Sequence, residues 1–402
     1  MQPRHPPPAL LAVILATLSM LGPFSIDTYM PSFPAIERDF GVGTLEMQQT
    51  LSAYLVPFAA MTLFHGTLSD SFGRRPVVLV SLSIFSLASF GCVLSDTFGQ
   101  LLFFRAIQGL SAGAGMVVGR AIIRDSLEGD AAQRLMATVT MIFGLAPAIA
   151  PIIGGWLQQL FGWHSVFVFL TAFGVGLWLL CARRLAETLP REKRQPFALR
   201  PLARNYWKLG RDRHLLLLCA AVAFNFAAFF LYIASAPAVI YGLLGLGEHD
   251  FAWLFVPGIA GVMFGAFLSG RLAGKVHGRR TVALGYCVMI FAACGNLFYS
   301  GFFEPRLPWT IAPIMIYTVG MSLAMPTITL LALELFPTHR GMTSSLQGFL
   351  QSLLTAIVSG LAAPFLARND FHLAGGMAAL LLIGLASWLC YLHISTPRVL
   401  HE

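Results

Sequence analysis

The chain has 402 residues, of which 57% are hydrophobic and only 11% are charged, with a formal net charge of +8 at pH 7. Soluble globular domains carry roughly 25% charged residues, so this composition excludes a soluble protein and indicates an integral membrane protein. Nucleic acid is not an expected partner. Its recognition needs a basic face on a soluble domain, whereas the cations here lie between apolar runs.

Neither the cysteines nor the histidines are spaced like a metal or cofactor site. The six cysteines lie within apolar stretches with no C-x-x-C pair, and the ten histidines are scattered. We therefore expect no metal, no cofactor and no catalytic residue. A membrane-embedded enzyme or sensor would need a nucleophile with its base, metal ligands or a soluble effector domain, and the sequence shows none of these.

Apolar runs long enough to cross a bilayer recur along the chain. A bilayer core about 30 Å thick needs roughly 20 helical residues, and a window of that length predicts twelve spans. The first is expected to be a retained span rather than a signal peptide, because no A-x-A-like cleavage site follows it. The predicted spans cover residues 9–30, 46–67, 77–95, 99–121, 136–157, 163–182, 214–236, 251–272, 281–301, 308–332, 342–366 and 374–394.

A polar and basic stretch follows the sixth predicted span and divides the chain into two halves. We predict an N-terminal six-helix bundle over residues 1–182, a basic cytoplasmic linker over 183–213 and a C-terminal six-helix bundle over 214–402. Lysines and arginines concentrate on one side of the predicted membrane, which includes this linker, Arg4 and Arg398. By the positive-inside rule, both termini and the linker are expected to be cytoplasmic.

A loop signature occurs twice, after the second and after the eighth predicted span. The first copy reads GTLSDSFGRRPVV, and the second, GRLAGKVHGRRTV, keeps G-R-R but lacks the acid. In the first copy, Gly66 and Gly73 permit a tight turn and close helix approach, while Arg74 and Arg75 anchor the loop at the membrane surface. Asp70 needs a partner, either Arg74 or the N-terminus of a neighbouring helix. The repeat predicts duplicated bundles with a path between them.

Two charged side chains lie within predicted spans. Asp27 is the one carboxylate that the sequence places clearly inside a span, and Arg105 lies in the fourth span. A buried arginine costs about 2.5 kcal/mol or more unless it is paired or snorkels to the interface. Burial raises the pKa of a carboxyl group in general, and a neighbouring guanidinium lowers it. Asp27 is therefore a candidate proton carrier, paired with Arg105, which would tune its proton affinity. Pro31 and Pro34 are expected to bend this span and present Asp27 to the central path.

The fifth predicted span is rich in glycine and proline. Prolines remove backbone hydrogen bonds and kink a helix, and glycines allow close packing against a neighbour. The residues alone therefore predict a bent, tightly packed helix, and a purely structural role for each glycine stays open. The residues concerned are Gly144, Pro147, Pro151, Gly154 and Gly155.

The substrate pocket is less clearly marked. Apolar and aromatic walls with a few polar groups suit lipophilic ligands, although lipid contact is an equally open role for any single phenylalanine. The candidate substrate-binding residues are Met30, Tyr54, Gln108, Asn225, Phe229 and Tyr232.

Several stretches resemble a known family. GTLSDSFGRRP resembles motif A of the major facilitator superfamily, RAIQGLSAG resembles motif B, and GLAPAIAPIIGGWL resembles motif C of its antiporter branches. IDTYMPSFPAI and ASAPAVI look most like the Bcr/CflA group of twelve-span drug:proton antiporters. The resemblance implies an all-α integral membrane protein with the major facilitator fold, in which about twelve transmembrane helices form two pseudo-symmetric six-helix bundles.

The resemblance also implies a function. Asp70, Arg74 and Asp125 would form a cytoplasmic latch with the start of span 11, near Arg340. The implied activity is proton-coupled export of small, mostly hydrophobic drugs or toxic compounds across the bacterial inner membrane by alternating access. The expected partners are the substrate, protons and the lipid bilayer, and a monomer is expected. A dedicated exporter of an endogenous metabolite, such as an amino-acid derivative or siderophore, is the open alternative; motif C disfavours proton-linked uptake.

Overall fold

The structure is a computed structural model that describes residues 8–127 and 129–395. These residues form helices, turns and connecting loops, and no strand occurs among them. The chain divides into two compact units, Met1–Leu199 and Arg200–Glu402, here called the N-terminal and C-terminal units. The predicted bundle and linker boundaries stay predictions, and Arg4 and Arg398, used in the orientation argument, lie outside the described residues.

The N-terminal unit is built mainly from long apolar helices. Within it, α1 packs against α7, α3 against α5, and α4 against both α5 and α8. The predicted fourth span is two helices that meet at Gly113, whereas the proline-rich fifth span is one uninterrupted helix. The helices are α1 (Pro8–Asp27), α2 (Phe33–Phe40), α3 (Thr44–Phe72), α4 (Arg74–Val93), α5 (Phe98–Ala112), α6 (Ala114–Ser126), α7 (Gly129–Phe161) and α8 (His164–Arg184).

The C-terminal unit has a comparable set of helices. Here α10 packs against α16 and α14, and α13 packs against both α11 and α12. A π-helical turn at Val358–Ala362 joins α14 to the short α15. The helices are α9 (Leu199–Leu209), α10 (Arg213–Ala234), α11 (Ala252–Leu272), α12 (Gly278–Phe302), α13 (Ala312–Glu334), α14 (Arg340–Ile357), α15 (Ala363–Leu366) and α16 (Asp370–Ser395).

The predicted number of membrane spans is confirmed, because twelve helical segments of the described chain are long and apolar enough to cross a bilayer. The predicted ends are less accurate. The first segment runs from Ala9 to Phe40, well beyond the predicted end at residue 30, and the last begins at Asp370 rather than at residue 374. The second shift makes Asp370 the first residue of the last span.

The α-helix of the first span is interrupted immediately after Asp27. There α1 ends, a short 3₁₀ turn follows at Met30–Ser32, and α2 continues to Phe40. Pro31 and Pro34 each lie at the start of one of these new helical segments. Proline is tolerated at that position because its missing N–H would have no intrahelical partner. The two prolines therefore fix a break in the span directly beside Asp27.

Side-chain caps set where other spans begin. At the start of α5, Thr97 Oγ1 accepts a hydrogen bond from the Gln100 amide, and Gln100 Oε1 accepts one from the Thr97 amide, both at 3.3 Å. At the start of α10, Asp212 Oδ1 accepts a hydrogen bond of 2.8 Å from the Leu215 amide. Such caps satisfy the amides that the first turn of a helix leaves unpaired.

Candidate functional site

Arg105 lies at the centre of a buried cluster in the N-terminal unit. Its side chain is 0% exposed. The guanidinium carbon lies 4.7 Å from the ring centroid of Tyr29 and 4.6 Å from that of Tyr54. A desolvated cation–π contact is worth about 2 kcal/mol. Two tyrosine rings therefore stabilise a charge that the apolar interior would otherwise disfavour.

Hydrogen bonds orient the guanidinium between the rings. Arg105 Nη1 donates to the Ser25 carbonyl oxygen at 3.0 Å and to Gln108 Oε1 at 2.5 Å. Gln108 Nε2 in turn donates to Ser89 Oγ at 2.7 Å. Both ends of the Gln108 amide are thus engaged within the protein. Its predicted contact with substrate stays a prediction, and the structure adds a positioning role.

The tyrosines are themselves held in place. The Tyr29 hydroxyl donates to Thr50 Oγ1 at 3.0 Å, and the Tyr54 hydroxyl donates to the Gly22 carbonyl oxygen at 3.4 Å. Tyr29 was not among the predicted site residues. The signal that could have found it is a polar aromatic residue two positions after the one acid predicted within a span.

Asp27 ends α1 next to this cluster and is buried, with 4% of its surface exposed. It lies two residues after Ser25, whose carbonyl oxygen accepts the hydrogen bond from Arg105. The expected ion pair between Asp27 and Arg105 is not formed, because the guanidinium is turned toward the Ser25 carbonyl, Gln108 and the two rings instead. The prediction of a direct pair is therefore wrong for this structure, although both side chains belong to one buried region.

The motif C helix α7 touches the break in α1. A Cβ atom at Gly154 would overlap the carbonyl oxygen of Thr28, the residue after Asp27. Gly155 and Pro151 are buried as well, and Pro147 is half-buried. A Cβ atom at Gly144, in contrast, would have no neighbour within 4 Å. Close packing against α1 thus depends on Gly154 and not on Gly144.

The motif A residues form a compact ionic cluster at the junction of α3 and α4. Arg74 Nη1 lies 2.5 Å from Asp70 Oδ1, and Arg74 Nε lies 2.9 Å from Asp125 Oδ2. The Arg74 side chain is mostly buried. Gly73 has φ +102°, a conformation that residues with a Cβ rarely adopt, and this allows the chain to turn there. A Cβ at Gly66 would make only an ordinary contact, 3.9 Å from Val117, so this glycine is not needed for close approach.

A carboxylate from the predicted linker completes this cluster. Glu187 Oε1 accepts from the Arg74 amide at 3.0 Å, and Glu187 Oε2 accepts from the Arg75 amide at 3.2 Å. Arg194 lies 3.7 Å from the same carboxylate, and Arg75 Nη2 donates to the Ala182 carbonyl oxygen at 2.7 Å. An anion at a helix N-terminus is stabilised by the unpaired amides and the helix dipole. Sequence reasoning missed Glu187 because it lies more than a hundred residues from its partners.

The contacts of this segment extend beyond Glu187. The Gln195 amide donates to the Asp70 carbonyl oxygen at 3.2 Å, Thr188 donates to Asp125 at 3.2 Å, and the rings of Phe197 and Phe72 lie 6.4 Å apart. We call residues 185–197 the linker strap. The strap docks on the motif A turn, so this part of the predicted linker is an ordered piece of the N-terminal unit.

In the C-terminal unit, Asn225 joins several helices. Its side-chain Nδ2 donates to the Tyr286 hydroxyl at 3.0 Å, and its backbone carbonyl oxygen accepts from the Tyr317 hydroxyl at 3.0 Å. The Tyr286 hydroxyl donates onward to the Gly384 carbonyl oxygen at 3.0 Å. The network links α10 to α12, α13 and α16, which is a structural role for Asn225 beside the predicted substrate contact.

The remaining candidates are also buried. Asn296 Nδ2 donates to the Tyr232 hydroxyl at 2.6 Å. Phe229 belongs to a group of rings on α10, with its centroid 6.2 Å from that of Phe226. Met30 lies in the 3₁₀ turn after Asp27 and is fully buried. The structure thus separates the six substrate candidates into a group in each unit, and their contact with substrate stays a prediction.

Asp370 is a buried acid at the start of the last span, and the predicted span left it out. It is the first residue of α16, it is 6% exposed, and within the described chain neither carboxyl oxygen has a hydrogen-bond partner. Asn369 Oδ1 accepts from the Phe371 amide at 2.8 Å and so starts the helix earlier than hydropathy indicates. A hydropathy window averages over the cap and therefore missed this acid.

Comparison with known proteins places the whole arrangement in one family. The sequence model of the Major Facilitator Superfamily matches residues 15–360 of the chain. The MFS-type transporter YdgK of Bacillus subtilis is 33% identical over 354 residues, which is 87% of this chain and 88% of that protein. The chain belongs to the major facilitator superfamily. It is a multi-pass membrane transporter and not an enzyme.

Two further relatives carry drug-resistance names, which agrees with the resemblance to the Bcr/CflA group of this superfamily. The "Bicyclomycin resistance protein homolog" of Haemophilus influenzae is 29% identical over 87% of each chain. The "Multidrug resistance protein D" of Escherichia coli is 29% identical over 98% of this chain and 97% of that protein.

Solved structures support the fold alone. A bacterial homologue of the human lysosomal transporter Spinster has a TM-score of 0.74 at 16% identity, covering 96% of this chain and 97% of its own. A D-xylose–proton symporter has a TM-score of 0.72 at 14% identity, covering 94% and 97%. The predicted major facilitator fold of this chain is therefore confirmed.

Proposed function

We propose that this major facilitator transporter is a proton-coupled antiporter that exports small, mostly hydrophobic drugs or toxic compounds by alternating access. It works in the bacterial inner membrane as a monomer, with both termini and the linker in the cytoplasm. The names of the bicyclomycin-resistance and multidrug-resistance relatives support the substrate class. The excess of arginine and lysine on one side of the predicted membrane supports the orientation.

The observation that carries the proposal is the buried carboxyl of Asp27 at the break in α1. Removal from water disfavours a charged carboxylate, so such a group binds a proton readily while it is buried and releases it when the surroundings admit water or a cation. Because α1 is interrupted directly after Asp27 and packs there against Gly154, a small rearrangement of α1 and α7 changes that environment.

Arg105 acts in this proposal as a fixed positive charge near the proton site. Its guanidinium is held by Tyr29 and Tyr54 and donates to the carbonyl oxygen of Ser25, two residues before Asp27. The fixed cation helps Asp27 to release its proton when α1 moves, without a permanent ion pair that would lock the carboxylate.

The ionic cluster of Asp70, Arg74 and Asp125 is proposed as the cytoplasmic gate. Its three charges are in contact in the N-terminal unit. Breaking it should shift the balance between inward-facing and outward-facing states without touching the substrate site.

Proton coupling supplies enough free energy for efflux. One charge moving across 100 mV releases about 2.3 kcal/mol. A proton-motive force of roughly 150 mV therefore supports about a few hundred-fold gradient of a neutral compound per proton.

The test is substrate-dependent proton release from everted membrane vesicles. Respiration acidifies the lumen and quenches an acridine dye there. Addition of ethidium as a probe substrate should then release protons from the lumen, and the recovery of the dye fluorescence measures that release. Asp27→Asn should abolish this release, and Glu304→Gln, which alters an exposed carboxylate, should not. If Asp27→Asn released protons at the normal rate, Asp27 would not be the proton site.

The substrate class needs a separate measurement, because ethidium alone does not represent all compounds. Drug susceptibility of a deletion strain and an overexpressing strain should differ for several unrelated lipophilic drugs. No change with any drug would contradict the multidrug proposal and favour a dedicated exporter of an endogenous metabolite, such as an amino-acid derivative or siderophore.

A further inference from the structure

Helix α9 (Leu199–Leu209) lies between the sixth and seventh membrane spans and has no part in the proton site or the proposed gate. One of its sides is turned inward, with Leu202 and Leu209 buried. The Tyr206 hydroxyl on this side is hydrogen-bonded to Ser345 of α14, and burial raises the pKa of Tyr206. These contacts attach α9 to the C-terminal unit and fix which of its other sides face outward.

An apolar stripe lies next to this inward side. Leu199, Ala203 and Trp207 follow one another at intervals of four residues, and residues at that spacing share one face of a helix. Leu199 is 57% exposed and Trp207 is 65% exposed. An exposed tryptophan beside an exposed leucine indicates a surface that meets an apolar partner rather than water.

A basic stripe lies beyond the apolar one. Arg200, Arg204 and Lys208 also follow one another at intervals of four residues, and all three side chains are exposed. Arg211 continues the stripe after the helix ends, and its guanidinium carbon lies 4.6 Å from the ring centroid of Trp207. The sequence of α9, LRPLARNYWKL, contains no acid that could neutralise these charges.

The position of α9 in the chain identifies which apolar surface is within reach. The preceding span ends at Arg184, and α9 ends at Leu209, just before the next span begins at Arg213. Only residues 210–212 separate α9 from that span, and three residues reach at most about 10 Å, so α9 lies close to the membrane surface. The same surface carries the motif A turn, because both connections follow an even number of spans.

We propose that α9 is an interfacial anchor that binds anionic lipid headgroups. Trp207 and Leu199 enter the boundary between headgroups and acyl chains, and the four cations of the basic stripe bind the phosphates above them. A helix with aromatic and aliphatic residues on one side and arginine and lysine beside them has the composition of such anchors. Each cation near an anionic surface strengthens the attraction by about fivefold.

The test uses the purified full-length chain in vesicles with brominated acyl chains, which quench nearby tryptophan. One set of vesicles contains phosphatidylcholine alone, and the other contains phosphatidylcholine with phosphatidylglycerol. Subtracting the signal of Trp207→Phe isolates the contribution of Trp207. We expect this contribution to be quenched more strongly in the anionic vesicles, and less strongly as salt is added, because salt screens the attraction.

A matched pair of triple variants separates the stripe from charge in general. Replacing Arg200, Arg204 and Lys208 by glutamine should remove the difference between the two lipid compositions. Replacing Lys275, Arg279 and Arg280, which are also exposed, by glutamine should leave that difference intact. Equal quenching of Trp207 in both compositions, or no quenching at all, would overturn the proposal. If the first triple variant does not fold, the salt dependence of Trp207 quenching in the unaltered chain tests the proposal instead. Quenching in the anionic vesicles that salt does not weaken would overturn it.

Discussion

Gly154 of α7 packs against the backbone of Thr28, the residue that follows Asp27. The carbonyl oxygen of Thr28 occupies the space that a side chain at position 154 would need. Motif C and the break in the first span are therefore two sides of one contact. This contact places one glycine of the fifth span directly beside the proposed proton site.

Gly154→Ala should disturb this contact. The added methyl group forces α7 and α1 apart, and overpacking of this kind costs about 1–3 kcal/mol. We expect a lower melting temperature of the purified protein in detergent and a clear loss of proton release in everted vesicles. Gly144→Ala is the matched control, because its methyl group would meet open space. Equal losses in both variants would show that the Thr28 contact is not the cause.

Replacement of Arg105 should show that its shape matters as well as its charge. Lysine keeps the charge but cannot stack a planar group between two rings, so Arg105→Lys should lower stability and transport. Tyr29→Phe keeps the ring and should retain most of the stability, whereas Tyr29→Leu should lose about 0.5–2 kcal/mol. The melting temperatures of the three variants and of the unaltered protein test these expected differences in stability. A stable Tyr29→Leu variant would argue against the cation–π contact.

Glu187→Gln should weaken the attachment of the linker strap. The amide keeps an acceptor oxygen but loses the charge that interacts with the start of α4 and with Arg194. We expect a loss of about 1 kcal/mol and faster proteolysis within residues 185–197. Glu192→Gln, which changes an exposed acid in the same strap, should behave like the unaltered protein. If both variants were cleaved at the same rate, Glu187 would have no special role.

Asp370→Asn should stabilise the C-terminal unit. Both oxygens of the acid are buried without a hydrogen-bond partner in the described chain, and a neutral amide of the same shape avoids the cost of burying a charge there. We expect this gain to exceed the loss of a negative charge at the start of α16, which is worth about 0.3–1 kcal/mol. The melting temperature should rise. Asp212→Asn serves as the comparison, because asparagine also caps a helix and should leave the melting temperature nearly unchanged. A fall in the melting temperature of Asp370→Asn would indicate a partner for the carboxyl.

Properties that depend on local sequence were predictable. Hydropathy gave the twelve spans, because each span must be apolar over its whole length. The contact of Asp70 with Arg74 follows from four-residue spacing, and the addition of Asp125 followed from the family resemblance. Pro31 and Pro34 predicted a disturbance near Asp27, and the structure locates the break at the residue after it.

Properties that depend on tertiary packing were not predictable from one sequence. Nothing in the spacing of Tyr29, Tyr54 and Arg105 requires the two rings to enclose the guanidinium. Tyr29 lies in the turn after α1, Tyr54 on α3 and Arg105 on α5. The expected pairing of Asp27 with Arg105 failed for the same reason. Arg105 Nη1 donates to a carbonyl and an amide oxygen and the guanidinium lies against two rings, none of which requires a carboxylate. Its Nε and Nη2 have no hydrogen-bond partner in the described chain.

Because the linker strap docks on the N-terminal unit, that part of the predicted linker is not a free connection between the two units. The strap is held on the N-terminal unit as far as Phe197, and α9 starts at Leu199 with its inward side attached to the C-terminal unit. The sequence predicts a linker of 31 residues, and in the structure Ala198 is the one residue between the linker strap and α9. A flexible peptide or a reporter domain inserted at Ala198 would leave the contacts within each unit intact. The same insertion beside Thr188 would pull Glu187 away from α4.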